Sequence, residues 1–360
     1  MNDERRMLVD AATSIFEDLC SPETVRAAEQ SGWPGPLWSA LAEAGFPWVS
    51  VPEQHGGSGG SVADACALLR VAGAFAAPVP LAETGLLAGW ALSSAGLELP
   101  SGPATVGVGN RDDTLGLTGS PGSWRLSGQL HRVPWARESE RIVAIAQQHG
   151  QAYVVSVKPD DTRIEPGRNL AGEPRDTVRL DGVATSDDAV APAPDGVSTD
   201  ALVLRGALAR AALMSGALSR VSAITIRYTN ERQQFGRPIA RFQAVQQHLV
   251  KIAEQTEAAI MAVTAAAGNA VRACDFFDVA AAKIVAGEAA NIASASSHQA
   301  HGAIGMTKEY ELGQLSRRLW SWRDEFGRAE DWSRLLGRQV AEAGSDALWP
   351  RISTGLFSNA

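Results

Sequence analysis

The stretch that decides the fold is Arg227-Tyr228-Thr229-Asn230-Glu231-Arg232-Gln233-Gln234-Phe235-Gly236-Arg237-Pro238-Ile239. Its breakers lie between two long apolar-periodic segments, so it closes one long helix and opens another, with Gly236 at the break. Immediately downstream, Phe242, Val245, Leu249, Ile252, Thr256, Ala259, Ile260 and Val263 recur at steps of three, four and once one, a continuous apolar stripe over 242–263. Segments 200–230, 275–299 and 310–342 are patterned in the same way, with connections too short for anything but antiparallel packing. A four-helix bundle is the expected arrangement.

Upstream of the bundle the texture changes twice. Residues 104–195 carry the runs WRLSGQLHRV, ERIVAIAQ, AYVVSVK and DTVRLDGV, bounded by Gly, Asp and Pro, which predict a small antiparallel sheet domain. Ala189 to Ser198 is a linker by composition. Before that, segments 3–20, 22–31, 35–45, 61–76 and 81–95 show helical spacing broken by Pro22, Pro34-Gly35-Pro36 and Pro78-Val79-Pro80. The expected organisation is an α+β, mostly α chain. It comprises an N-terminal helical domain over 1–103, a middle β domain over 104–198, a C-terminal four-helix bundle over 199–345, and a loose tail over 346–360.

At 360 residues the chain exceeds a single hydrophobic core, in keeping with several domains. A net charge of −8 argues against nucleic acid as the main partner, because neutralising phosphates needs a basic face. Cys20, Cys66 and Cys274 are too few and too far apart for a disulfide framework or a Cys-based metal site. The opening MNDERRMLVDAATSIFEDL carries charges where a signal peptide needs an apolar run, and no stretch reaches the ~20 apolar residues of a membrane span. The expectation is a cytosolic protein with no membrane and no nucleic-acid partner. Only four of the 32 basic residues are lysine, which coding bias explains more simply than an anionic ligand does.

Three loops stand out as places for chemistry. In the first, Phe46 to Gly60, a glycine-dense turn follows a short apolar run that predicts a strand. It lacks the Lys-Ser/Thr of a P-loop, so a tight structural turn is the better reading. The second is the 227–239 break, where Arg232 and Arg237 flank a helix start that favours anions. The third is His298 to Gly305. Its two histidines lie three apart with no carboxylate or Cys at ligand spacing, so no metal site is expected. Its Gly-x-x-Gly loop suggests close backbone approach to a ligand.

Together these loops resemble the acyl-CoA dehydrogenase family in nearly the whole chain and in the right order. The pattern Pro-Glu-x-x-Gly-Gly-x-Gly appears as Pro52 to Gly59, and Arg-x-x-Phe-Gly-x-x-Ile/Leu-x-x-x-Gln as Arg232, Phe235, Gly236, Ile239 and Gln243. Gln-x-x-Gly-Gly-x-Gly…Glu-Tyr appears as Gln299, Gly302, Gly305, Glu309 and Tyr310, with Ala303 in place of the second glycine. The resemblance implies FAD as cofactor and an acyl-CoA thioester as substrate. A carboxylate would remove the α proton, and electrons would pass on to an electron-transfer flavoprotein. It further implies that Arg232, Phe235, Phe242, Gln243, Gln299, His301 and Gly302 contact the cofactor, much of which a neighbouring subunit would hold.

The chain departs from the family where a subunit faces its own flavin. The family's Thr-Glu-Pro…Gly-Ser-Asp motif is absent, and Arg132-Val133-Pro134 stands where Trp-Ile-Thr would; Pro134 has no backbone N–H to donate. The two family positions for the catalytic glutamate fall on Phe326 and Gly206, and the position of an Arg that contacts CoA falls on Ala207. Glu325, one residue early, is the candidate base. What a subunit lends its neighbour is kept, and what it needs for its own chemistry is largely gone. That pattern resembles the degenerate partner of a heteromeric (α2β2) acyl-CoA dehydrogenase such as those acting on steroid-derived acyl-CoA. The alternatives are an active homodimer or homotetramer using Glu325, a flavin-dependent monooxygenase or nitroalkane-oxidising relative, and a purely structural subunit.

Overall fold

The computed structural model describes residues 3–31, 33–108, 113–270, 274–307 and 310–354. The N-terminal third is built from α1 (Asp3–Leu19), α2 (Pro22–Ser31), α3 (Gly35–Glu43) and α4 (Val62–Ala74), followed by a π-helical stretch, Ala82–Gly89, that runs into α5 (Trp90–Ser94). Helix α4 begins with a capping box. Ser61 Oγ accepts from the Asp64 amide, and the Asp64 carboxylate accepts from the Ser61 amide. The segment Phe46–Trp48 expected as a strand is a 3-10 turn, and Glu53–His55 is another. The glycines that follow are structural: a Cβ on Gly57 or Gly60 would run into the carbonyls of Val51 and Val49. The loop folds back on its own entry, so these glycines serve close backbone packing.

Eight strands form one sheet: β1 (Ala104–Val106), β2 (Leu115–Thr118), β3 (Trp124–Pro134), β4 (Arg141–Gln148), β5 (Gln151–Val157), β6 (Arg163–Glu165), β7 (Arg175–Thr185) and β8 (Val190–Pro192), in the order β6-β7-β3-β2-β4-β5-β8 with β1 beside β4. It is largely antiparallel, but β1 and β2 each run parallel to β4. The antiparallel β2–β3 pair returns the chain to the far side of β2, so the next strand pairs with it in the same direction. One face carries a core of its own around Leu126, Ile142, Val155 and Val178.

The bundle is α6 (Thr199–Glu231), α7 (Gln243–Asn269), α8 (Phe276–His301) and α9 (Leu312–Asp324); a hairpin of β9 (Gln233–Gln234) and β10 (Arg237–Pro238) lies between α6 and α7. Helix α6 is long and apolar enough to cross a membrane, yet 89% of its most apolar window is buried inside the protein. It is the central element, in contact with α4, α7, α8 and α9. Small residues let it approach α4 closely, since a Cβ on Gly216 would collide with the Arg70 carbonyl and one on Gly73 with that of Leu213. Gly216→Ala should therefore lower stability by about 1–3 kcal/mol, as overpacking does, and a urea midpoint unchanged from wild type would refute the tight crossing.

Two further expectations need correction. The segment 310–342 is not one helix but α9 and α10 (Ala329–Ala343), separated by Glu325 to Arg328. Phe326 and Gly327 both take positive φ, 54° and 93°, which no helix can follow. Lys283 Nζ donates to the carbonyls of Trp322 (3.1 Å) and Arg323 (2.6 Å), and Trp332 Nε1 to that of Phe326 (3.0 Å), so the break is capped from both sides. The stretch from 346, expected as loose, opens in α11 (Ser345–Thr354), pinned by buried Arg351, which donates to Asp275 and, at 3.1 Å, to Asp278.

Candidate active site

The break after α9 places Glu325 at the junction of the N-terminal helices, the sheet and the bundle. Its Oε1 accepts from Arg175 Nε (2.7 Å) and Asn169 Nδ2 (3.1 Å), and its Oε2 from Arg175 Nη2 (2.9 Å) and Arg210 Nε (2.7 Å). Arg210 also pairs with Glu83 on the π-helical stretch. Arg175 Nη2 reaches Glu173 Oε2 at 2.9 Å, where Trp322 Nε1 also donates at 3.1 Å. Arg318 Nε lies 3.4 Å from Glu173, and Arg318 Nη1 is 2.8 Å from Glu29 Oε1. Three carboxylates, Glu83, Glu173 and Glu325, thus interleave with three guanidiniums, Arg175, Arg210 and Arg318, all buried.

Interleaving is what makes this burial tolerable. An isolated ion here would cost several kcal/mol, whereas each of these faces an opposite charge. The Arg175 and Arg210 contacts are well-formed hydrogen bonds, while Arg318 Nε and Nη2 have no hydrogen-bond partner among the described residues. Burial by itself raises the pKa of Glu325, but the guanidiniums of Arg175 and Arg210 overcome it and hold the carboxyl well below the usual carboxylate range. A general base needs an open lone pair, reach to a substrate proton and a pKa near the working pH. Four donors occupy the Glu325 oxygens, and the cavity walled by Glu83, Trp135, Arg175 and Arg210 holds only about 10 Å³.

The two family positions for the base face each other. Gly206 lies on α6 against the ring of Phe326, so that any Cβ at 206 would overlap the phenyl group. The Arg210 guanidinium lies 5.2 Å above the same ring. Phe326 holds its left-handed φ because its carbonyl is taken by Trp332 and its ring by Gly206. These two contacts should be strongly coupled. Gly206→Ala in the wild-type background should destabilise, and the loss should shrink by about 0.5–3 kcal/mol when Phe326→Ala is added. A double-mutant cycle in urea with no coupling would show that the ring does not fill this spot.

The face expected to meet the chain's own flavin is equally closed. Arg132 is the bulged residue of β3, at φ 54° in the register shift between Leu130 and Val133. Pro134 is paired with Arg175 in the sheet. Trp135 is buried, its ring 6.3 Å edge-on from Trp33, and so belongs to the core. These residues do not fit a flavin ring.

The opposite edge is open. In the β9–β10 hairpin Phe235 and Gly236 both have positive φ, 52° and 76°, as a two-residue I′ turn requires. The turn puts an aromatic residue at its tip with 91% of its surface exposed. Phe242, the N-cap of α7, lies 6.0 Å away edge-on and carries the Arg237 guanidinium 4.3 Å above its ring. Arg232 and Gln243 are exposed, and neither side chain makes a hydrogen bond or ion pair among the described residues. Gln299, near the end of α8, is exposed, and Gly302 follows at φ 63° with open space around it.

His301 differs from its neighbours. It is buried and stacked 4.6 Å from Tyr228, with Nδ1 2.8 Å from the Ser297 carbonyl and Nε2 3.1 Å from Tyr310 Oη. Both ring nitrogens are engaged, and burial pushes its pKa down. Its position ties the end of α8 to the end of α6, which brings the Gln299–Gly302 loop and the Arg232 hairpin to one side of the molecule. His298 Nε2 lies 3.0 Å from Ser316 Oγ, while its buried Nδ1 has no hydrogen-bond partner among the described residues. No metal-ligand cluster occurs among the described residues. Glu309 of the third motif lies outside the described residues.

Comparison with known proteins agrees with this geometry. The family descriptions "Acyl-CoA dehydrogenase, N-terminal domain" and "Acyl-CoA dehydrogenase, C-terminal domain" match residues 2–98 and 199–330. Acyl-CoA dehydrogenase IpdE2 of Mycobacterium tuberculosis is 31% identical over 322 residues, covering 86% of this chain and 89% of its own length. The ChsE4-ChsE5 complex of Mycobacterium tuberculosis superposes with a TM-score of 0.87 at 24% identity, over 95% of this chain and 98% of the other. The "Tcur3481-Tcur3483 steroid ACAD G363A variant" gives 0.83 at 25% identity, over 95% and 99%.

Proposed function

Because the chain belongs to the acyl-CoA dehydrogenase family of FAD-dependent oxidoreductases, we propose that it is the non-catalytic subunit of a two-polypeptide enzyme. On this reading it lends its exposed hairpin edge to a flavin whose reacting ring sits in a partner subunit. The observation that carries the proposal is the filled cleft: Phe326 packed on Gly206, and Glu325 locked between Arg175 and Arg210, where an active chain needs a free carboxylate.

FAD, when bound, supplies the redox chemistry of such an enzyme by accepting the substrate's β hydrogen as hydride. The residues of this chain would only bind and cover it. Arg232 offers a planar fork of donors suited to pyrophosphate oxygens. Phe235 offers an apolar surface for the adenine end, and Gln243 and Gln299 offer amide donors and acceptors. Gly302 keeps its loop free of a side chain. Phe242 backs the hairpin. The α proton of the acyl-CoA would go to a carboxylate of the partner subunit. A steroid-derived acyl-CoA is the substrate class that the steroid ACAD relative suggests, and an electron-transfer flavoprotein is the electron acceptor proposed for the assembled enzyme.

Purification settles the matter. Expressed alone the chain should be colourless and inactive with acyl-CoA and a dye acceptor. Co-expressed with an acyl-CoA dehydrogenase-like chain of its own genome, it should give a tetramer holding two FAD per four chains. A yellow, active homo-oligomer, four FAD per tetramer, or oxygen consumption independent of any CoA thioester would each overturn the proposal.

A further inference from the structure

One buried cation is left out of the network. Arg205 directly precedes Gly206 on α6 and is therefore turned about 100° away from the filled cleft. Its residue is only 7% exposed, yet no carboxylate pairs with it among the described residues. Its one hydrogen bond is a long 3.4 Å contact from Nη1 to the Leu86 carbonyl, and its guanidinium lies 4.1 Å over the face of Trp90. Burial holds its pKa below the usual arginine value, although nothing suggests that it gives up its proton. Its other donors are not sealed away but reach the surface of an adjoining cavity, where an arriving anion can meet them.

Arg205 lines a cavity of about 680 Å³ bounded by the N-terminus of α4, the end of α5 and the last turn of α7. Donors and acceptors both face this space, the acceptors being the carbonyls of the last turn of α7. Val62 and Ala63 open the 13-residue helix α4, and their amides precede the first intrahelical acceptor and make no hydrogen bond among the described residues. The hydroxyl-bearing Ser93 and Ser94 and the ring of His55 complete the wall. The nearby Asp64 carboxylate is already taken. Ser61 donates to it through N (2.9 Å) and Oγ (2.6 Å), and Arg5 through Nε (2.6 Å). Arg5 also lines the cavity, but its charge is thereby compensated, which leaves Arg205 as the cation without a carboxylate partner on this cavity among the described residues.

We propose that this cavity is a binding site for a phosphate group carried by a small organic molecule, held between the Arg205 guanidinium and the N-terminal amides of α4. A helix N-terminus and a buried guanidinium each favour an oxyanion, and here both face one space. The volume is several times that of the anion alone and falls in the range of sites for whole small molecules. The site stands apart from the hairpin edge and from the filled cleft, so it does not rest on the proposed subunit role.

Isothermal titration of the purified chain with inorganic phosphate, at ionic strength held constant with chloride, tests this directly. Saturable one-to-one binding is expected, weakened at least tenfold in Arg205→Gln. A second variant guards against a folding defect at the buried position. Ser94→Asp places a carboxylate at the exposed rim, and it should weaken phosphate at least tenfold while raising the melting temperature of the phosphate-free chain. Unsaturable heats with wild type, equal affinity in both variants, or succinate binding as tightly as phosphate would each overturn the assignment.

Discussion

Arg232→Ala, placed in the assembled enzyme, should release flavin: affinity for FAD should fall about tenfold to a hundredfold. That range corresponds to losing a charge-assisted hydrogen-bonded contact of about 1.5–3 kcal/mol. The argument rests on what Arg232 does not do in the isolated chain. It stands exposed at the foot of the hairpin with no hydrogen-bonded or ionic partner among the described residues, so its removal should leave the fold intact. The same holds for Phe235, which takes an unfavourable left-handed backbone only to display its ring to solvent. Phe235→Ala should lower affinity without affecting the urea midpoint of the isolated chain. The measurement is the ratio of flavin absorbance to protein after exhaustive dialysis, with Arg232→Lys as an intermediate case because it keeps the charge but loses the fork. Unchanged flavin content in Arg232→Ala would remove the basis for the proposed subunit role.

Glu325→Gln should do the reverse, costing stability and sparing catalysis. Neutralising one member of a buried, interleaved set leaves Arg175 and Arg210 with one carboxylate fewer, and breaking such a set costs about 3–5 kcal/mol. In the assembled enzyme, turnover per bound flavin should stay within about twofold of wild type. A stable variant whose turnover is abolished would make Glu325 the base. The pH dependence carries the same signature. The Glu325 pKa is depressed in the folded state, so its stabilisation is fully present above the unfolded value of about 4.3 and is lost as pH falls below it. Wild-type stability should drop below about pH 5, and Glu325→Gln should show a shallower drop over that range.

The elements themselves were largely legible in the sequence. The apolar stripe of 242–263, the proline punctuation of the first hundred residues and the β-rich runs from Trp124 onward each carry a local period, and local period is what secondary structure follows. The resemblance singled out Arg232, Phe235, Gln299 and Gly302, and the structure leaves all four exposed. The resemblance offered His301 as a cofactor contact, and the structure adds a packing role that spacing could not show, because Tyr228 and Tyr310 come from two other segments. The helix break after α9 was missed because its cause is the Lys283 and Trp332 caps, which belong to neighbouring elements.

The filled cleft shows where sequence reasoning stops. A Glu, an Arg and a Phe near the expected base position could have been a displaced catalytic site or a structural knot, and nothing in their order decides between them. The sequence by itself determined the order of the layers, the absence of carboxylates at the family's base positions and the loops that carry the family motifs, since those follow from residue type and spacing along one segment. Only the tertiary structure decided that Glu325 is saturated by Arg175 and Arg210, and that Arg205 meets no carboxylate among the described residues. Charge pairing is set by distance and by exclusion of water, and both come from residues that the fold brings together from positions as far apart as 83, 175, 210 and 325.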